Sequence, residues 1–224
     1  MGDLKMGRKL WNYFERNSIY FLAIALFLFI FLPPFLKGEN AFQYSILILS
    51  SFIIAFVILI LPSSGTKRWN WILLFLLVIP WLMNLDYWLT TAFLLFFTLI
   101  YSITSYRIIN IVLKEEEVDL RVVVGSVVGY LLIGLSFTFL CALLVQFYPH
   151  SFDAPEQMST PYSFVYFTFV TLSTLGYGDV TPSTPPAQAL SLLIAISGQF
   201  YMVIIVAVIV GKFISMRPKN QVNL

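Results

Sequence analysis

Long apolar runs recur along this chain, and the short segments between them hold nearly all of its charge. A helix needs about 20 apolar residues to cross the hydrocarbon core of a bilayer. Runs of that kind fall at 18–36, 42–62, 69–86, 88–107, 122–148 and 187–212. The third is the shortest and contains Pro80, which predicts a kink or a tilt. Between the fifth and sixth runs the pattern changes to a polar stretch, 149–160, then an aromatic-rich segment, 161–173, then a glycine-rich turn. As a helix, residues 162–173 would be about 18 Å long, half a membrane. Such a segment must dip in and return, and its backbone is tolerated at that depth only where protein or a water-filled cavity satisfies it. The pattern predicts an all-α membrane protein with six transmembrane helices and a re-entrant half-helix before the last of them.

Charge orients these spans. With the N-terminus inside, the inner segments carry Lys5, Arg8, Lys9, Arg16, Lys67, Arg68, Arg107, Lys114, Arg121, Lys212, Arg217 and Lys219, and only Lys37 faces outward. Basic residues stay on the cytoplasmic side, so both termini are expected there. The outer side holds Lys37 against Glu39, Asp86, Asp153, Glu156 and Asp179, one base against five acids, a net of −4 that would gather cations. Trp69, Trp71, Trp81 and Trp88 fall at predicted helix ends, where amphipathic rings prefer to sit. Composition agrees: 59% hydrophobic residues and a mean hydropathy of +0.88 exceed what a soluble core of this length can hide. A net charge of +2 is too small to suggest a nucleic-acid surface, and the expected surroundings are the lipids of a cell membrane.

The expected domains are a cytoplasmic interfacial segment 1–17, a four-helix domain 18–107, a cytoplasmic linker 108–121, a two-span domain 122–212 and a short cytoplasmic tail 213–224. Residues 1–17 read either as a basic interfacial helix or as a frayed tail. Pro33 and Pro34 stand where a cleaved signal would have small residues, so the first span is expected to stay as an anchor. Cys141, the single cysteine, lies in an apolar run and reads as packing; Glu115, Glu116 and Glu117 read as a solvated linker.

The chemistry lies in Thr174-Leu175-Gly176-Tyr177-Gly178-Asp179. A cation crossing hydrocarbon needs oxygens to replace its water. Successive backbone carbonyls can be aimed at one axis only if the residues alternate between right- and left-handed backbone, and Gly176 and Gly178 enter the left-handed region without steric penalty. Thr174 can add a hydroxyl oxygen at the inner end. One chain supplies a quarter of each oxygen ring, so four must meet on an axis.

This string resembles the potassium-channel signature Thr-Val-Gly-Tyr-Gly-Asp. It follows a half-membrane aromatic helix and stands between two full spans, and the resemblance to the potassium-channel pore-domain family covers about residues 122–212. The first four spans resemble the voltage-gated superfamily in number alone. The resemblance implies a homotetramer in which the carbonyls of Thr174, Leu175, Gly176 and Tyr177 bind potassium, with Gly178 at the outer mouth and potassium as permeant ion rather than cofactor. It implies that Leu175, in place of valine, and the Tyr177 ring face away from the axis. Where many members have two tryptophans supporting the filter, this chain has Tyr166 and Phe167; Tyr166 can bond Asp179, but Phe167 has no donor for Tyr177. Where some relatives bury a glutamate, it has Val170. Gly198 occupies the interval of the family's hinge glycine, and reads either as a hinge or as a packing site. Gln199, Met202, Val206 and Val210 would face the cavity and gate. Gly125 and Gly129 form a small-residue packing pair.

Other features bear on gating. A voltage sensor needs stepped arginines in the fourth helix, and WLTTAFLLFFTLIYSITSYR has only Arg107, at its inner end. The first four helices are then either a scaffold or the holder of a lipid-like ligand. The sequence has no catalytic cluster. Besides a potassium-selective channel, a weakly selective cation channel and a non-conducting subunit of a hetero-oligomer fit these residues.

Overall fold

A computed structural model of the chain describes residues 2–36, 87–155 and 162–215, with residues 2–16 described by backbone alone. The predicted spans 42–62 and 69–86 lie outside the described residues, as does most of the tail 213–224. The chain divides into two compact units, Met1–Thr90 and Thr91–Leu224.

In the first unit a single helix, α1 (Gly2–Phe31), runs straight through the expected boundary at residue 17. The basic N-terminal segment is therefore helical and continuous with the apolar run. The helix stops sooner than the run predicts. Pro33 and Pro34 have no N–H to continue the ladder, and a 3-10 turn at Pro33–Phe35 follows, closed by Leu36 N–H donating to the Pro33 carbonyl at 3.2 Å.

Three helices among the described residues are long and apolar enough to cross a membrane: α2 (Tyr87–Lys114), α3 (Leu120–Phe147) and α5 (Pro185–Ser215). Helix α2 continues past Arg107 and takes up half of the expected linker. Its buried stripe, Tyr101, Thr104, Ser105, Ile108 and Val112, keeps helical spacing beyond that arginine, so packing carries the helix on. The remaining connection is closed by Asp119, whose carboxylate accepts from Val122 N–H at 2.9 Å and caps α3.

In the second unit α3, the short helix α4 (Tyr162–Leu172) and α5 pack on one another. Cys141, Phe167, Leu172, Val180, Leu190 and Ile194 form their common core. Although α5 is apolar nearly all round, its buried residues form one stripe, Ala187, Leu190, Ile194, Gly198, Tyr201 and Ile205, at steps of three and four. Most residues on its other faces are exposed or half-buried.

Small residues set the close approaches. A β-carbon on Gly134 would lie 2.4 Å from the Phe169 ring, and one on Gly129 would lie 2.9 Å from the Tyr201 hydroxyl. That hydroxyl donates to the Ser126 carbonyl, tying α5 to α3. On the other side of α3, Ser105 Oγ donates to the Gly129 carbonyl at 3.0 Å, and Phe139 stacks on Phe97 and Tyr101 of α2. Ser136 and Thr138 donate to carbonyls four residues back, at 2.8 and 3.0 Å, which satisfies hydroxyls that lipid could not. A two-residue strand pair, β1 (Phe152–Asp153) with β2 (Thr181–Pro182), interrupts the stretch expected to be merely polar.

Candidate functional site

Helix α4 has 11 residues, about 16 Å, and the signature string leaves its C-terminal end. The exit is held by the helix's own last carbonyls. Ser173 N–H donates to Phe169 at 3.0 Å and Thr174 N–H to Thr171 at 3.0 Å; Leu175 and Gly176 N–H both donate to Val170, at 3.0 and 3.3 Å. Val170 thus supports the loop through its main chain rather than its side chain, a role its residue type does not reveal.

Beyond this anchor the backbone alternates. Thr174, Gly176 and Gly178 have φ of 60°, 58° and 78°, while Leu175 and Tyr177 between them do not enter the left-handed region. A β-branched residue with positive φ is strained, so Thr174 keeps that conformation because the bonds on either side impose it. Among the described residues no hydrogen bond is donated to the carbonyls of Thr174 to Gly178. All five residues are exposed on this chain. Among the described residues they form a row of carbonyl oxygens without a donor, at the negative end of a helix dipole, an arrangement that favours a cation.

The outer end is tied from the side. Tyr166 donates its hydroxyl to Asp179 Oδ2 at 2.5 Å, and Asp179 Oδ1 accepts from Val180 N–H at 3.1 Å. The Tyr177 ring lies parallel to that of Tyr166, centroids 6.5 Å apart, and is 66% exposed, so this chain covers one face of it only. Leu175 is 55% exposed. Phe167 is buried and meets the Phe152 ring edge-on at 4.9 Å.

Below the loop, a recess of about 390 Å³ is lined by Tyr130, Leu172, Ser173, Thr174, Gly198, Gln199, Met202 and Val203. Gln199 and Met202 therefore meet the base of the loop. Val206 and Val210 lie outside that lining, exposed and farther along the same face of α5. Gly198 sits inside an unbroken helix, and a β-carbon on it would lie 1.9 Å from the Leu172 carbonyl oxygen. The backbone of α4 therefore rests directly on α5 at this glycine. Near the C-terminal end of α5, Lys212 Nζ donates to the carbonyls of Val112 and Leu113, at 3.0 and 2.9 Å, and to that of Glu115, capping the C-terminus of α2. The sequence marks Lys212 only as an inner-side charge.

A half-membrane helix, a loop of carbonyls that no described residue bonds and two flanking membrane-length helices meet at this site. Residues 126–215 match the family described as "Ion channel". Over 98 residues, 43% of this chain, the sequence is 33% identical to the A-type voltage-gated potassium channel KCND3 of Rattus norvegicus, and to the same degree to that of Homo sapiens. The match spans about 15% of the length of those relatives. No solved structure gave a significant match. Residues 126–215 are thus similar to the ion-channel family, and the relatives that the chain matches are potassium channels.

Proposed function

We propose that this chain is the subunit of a homotetrameric, potassium-selective channel of the cell membrane, giving passive potassium flux between a cytoplasmic side that holds both termini and an acidic outer face. The alternating left-handed backbone at Thr174, Gly176 and Gly178, which leaves the carbonyls between them unbonded, carries this reading. Carbonyl rings of this kind replace the hydration shell of a dehydrated cation. One chain furnishes one wall, and the exposed side of that wall continues down α5 through Phe200, Met202, Val203 and Val206. Four copies around an axis would complete the rings at Thr174, Leu175, Gly176 and Tyr177 and turn Gln199, Met202, Val206 and Val210 toward a shared cavity. The lower, apolar part of that cavity gates by dewetting.

Opening does not follow a conventional voltage sensor. Helix α2 carries Arg107 and, in its last turn, Lys114, both at the inner end, so little charge can cross the field. Reversal potentials of the purified protein in planar bilayers with opposed potassium and sodium gradients test the proposal. A reversal near the potassium equilibrium potential and a shallow conductance–voltage curve are expected. A reversal midway between the two ions would make this a weakly selective cation channel, and absence of flux from the protein alone would make it a non-conducting subunit.

The Tyr166 tie to Asp179 gives a further expected result. Tyr166→Phe deletes a hydrogen bond to a carboxylate, about 1.5–3 kcal/mol in each subunit. The current of this variant should decay into a non-conducting form at least several-fold faster during sustained opening. Decay at the unmodified rate in patch recordings would show that the filter does not depend on this bond.

A further inference from the structure

We infer that Phe152, with Ser151 and Ser183, forms an outer clamp that positions the exit of the filter; the inference rests on reading residues 174–178 as the ion path. The segment that leaves the filter is fastened to the outer loop by its main chain. Phe152 pairs with Pro182 and Asp153 with Thr181, in antiparallel register. Just beyond, Ser183 N–H donates to the Ser151 carbonyl at 2.9 Å, and Ser183 Oγ donates to the His150 carbonyl at 2.7 Å. A directed chain of hydroxyls continues the attachment. Thr184 Oγ1 donates to Ser151 Oγ at 3.1 Å, and Ser151 Oγ donates to the Tyr148 carbonyl at 2.5 Å. Ser151 is fully buried, and His150 beside it takes a φ of 62° to present its carbonyl to Ser183.

Phe152 joins this staple to the pore helix. Its ring meets Phe167 at 4.9 Å and Phe164 at 5.9 Å, both edge-on, a favoured aromatic geometry. Phe167 has no polar hydrogen to offer Tyr177, so its part in holding the filter is indirect: it seats Phe152, and the strand of Phe152 holds the chain that follows Gly178. Between Gly178 and Ser183 every fixed point is then accounted for. Asp179 is held by Tyr166, Val180 is buried in the core, and Thr181 to Ser183 are held by the outer loop. Phe152, Ser151 and Ser183 are positioning residues, since none of them touches the ion path.

Like-oriented carbonyl dipoles repel across an empty filter. A bound cation offsets that repulsion from inside, and a clamp on the exit strand resists its effect from outside. Loosening the clamp should therefore raise the potassium concentration needed to keep the filter conducting, an effect that a general loss of folded protein does not produce.

The test uses full-length protein reconstituted in bilayers, with steady-state current followed as external potassium is lowered. Ser183→Ala removes one hydroxyl bond, and Phe152→Leu removes the ring contacts while keeping an apolar side chain. In each variant the half-maximal potassium concentration should rise roughly fivefold, which is about 1 kcal/mol at 1.4 kcal/mol per decade. A double variant, Ser151→Cys with Thr184→Cys, keeps the test valid should Phe152→Leu fail to assemble. Its two sulfurs would replace hydroxyl oxygens that lie 3.1 Å apart. The reduced form should show the raised potassium requirement, and oxidation to the disulfide should return it to the unmodified value. An unchanged potassium requirement in Ser183→Ala and in the reduced double variant overturns the clamp. Lack of potassium current in the unmodified protein overturns the filter reading itself, and the clamp with it.

Discussion

Replacing Gly176 or Gly178 with alanine is expected to abolish potassium-selective conduction while leaving four-fold assembly largely intact. Both residues sit in the left-handed region, at φ of 58° and 78°, and nothing lies within 4 Å of a β-carbon built on either. The penalty is therefore conformational rather than steric crowding by neighbours. A left-handed backbone disfavours an L-residue by roughly 1–2 kcal/mol, and four subunits multiply this to about 4–8 kcal/mol per channel. The chain escapes it by rotating the peptide, which turns a carbonyl away from the ion path. In the proposed tetramer, assembly would rest on helix packing outside residues 174–178. The measurement is selectivity of the purified mutant in bilayers together with its mass by native electrophoresis. Normal potassium selectivity in either mutant would remove the filter assignment.

The second large effect is expected at Gly198. An alanine there would place its β-carbon 1.9 Å from the carbonyl oxygen of Leu172, 2.8 Å from its carbonyl carbon and 3.2 Å from its Cα. These are backbone atoms, so no rotamer change relieves the overlap. Either α5 moves outward or the last turn of α4 moves, and that turn carries Thr174 two residues on. Gly198→Ala should therefore lose potassium flux and much of its thermal stability, by at least the 1–3 kcal/mol typical of overpacking (a rough range). Gly211 is the control on the same helix, because nothing lies within 4 Å of a β-carbon there. Gly211→Ala should be neutral or slightly stabilising, by up to about 1 kcal/mol, since alanine loses less backbone freedom than glycine in a helix. Equal melting temperatures and fluxes for the two mutants would mean that α4 and α5 are not in backbone contact.

The elements that place the candidate site were legible in one dimension. Helices α3 and α5 fall within a few residues of the apolar runs 122–148 and 187–212, because a membrane span is a property of length and hydropathy. The half-helix 162–172 was legible from its length, and the glycine alternation from the steric demand that only Gly176 and Gly178 meet freely. The Tyr166 partner of Asp179 was legible because one hydroxyl and one carboxylate stood at the right interval. Helix α1 was less so: the run alone extends it past Phe31, while the two prolines end it. The reach of α2 to Lys114 was hidden because a linker and a buried helical stripe differ only in what they pack against. The antiparallel pairing of Phe152–Asp153 with Thr181–Pro182, the Lys212 cap on α2 and the doubled acceptor at Val170 left no mark in the sequence. Each joins main-chain atoms to residues whose own types do not demand it. The role of Gly198 was ambiguous in the sequence, since any glycine permits both bending and close approach. Only the tertiary structure reveals the close approach of Leu172 to it. Local chemistry thus specified which residues form the loop and which way its backbone must turn, whereas the attachments that hold it there, being contacts between distant segments of chain, were decided by the tertiary structure alone.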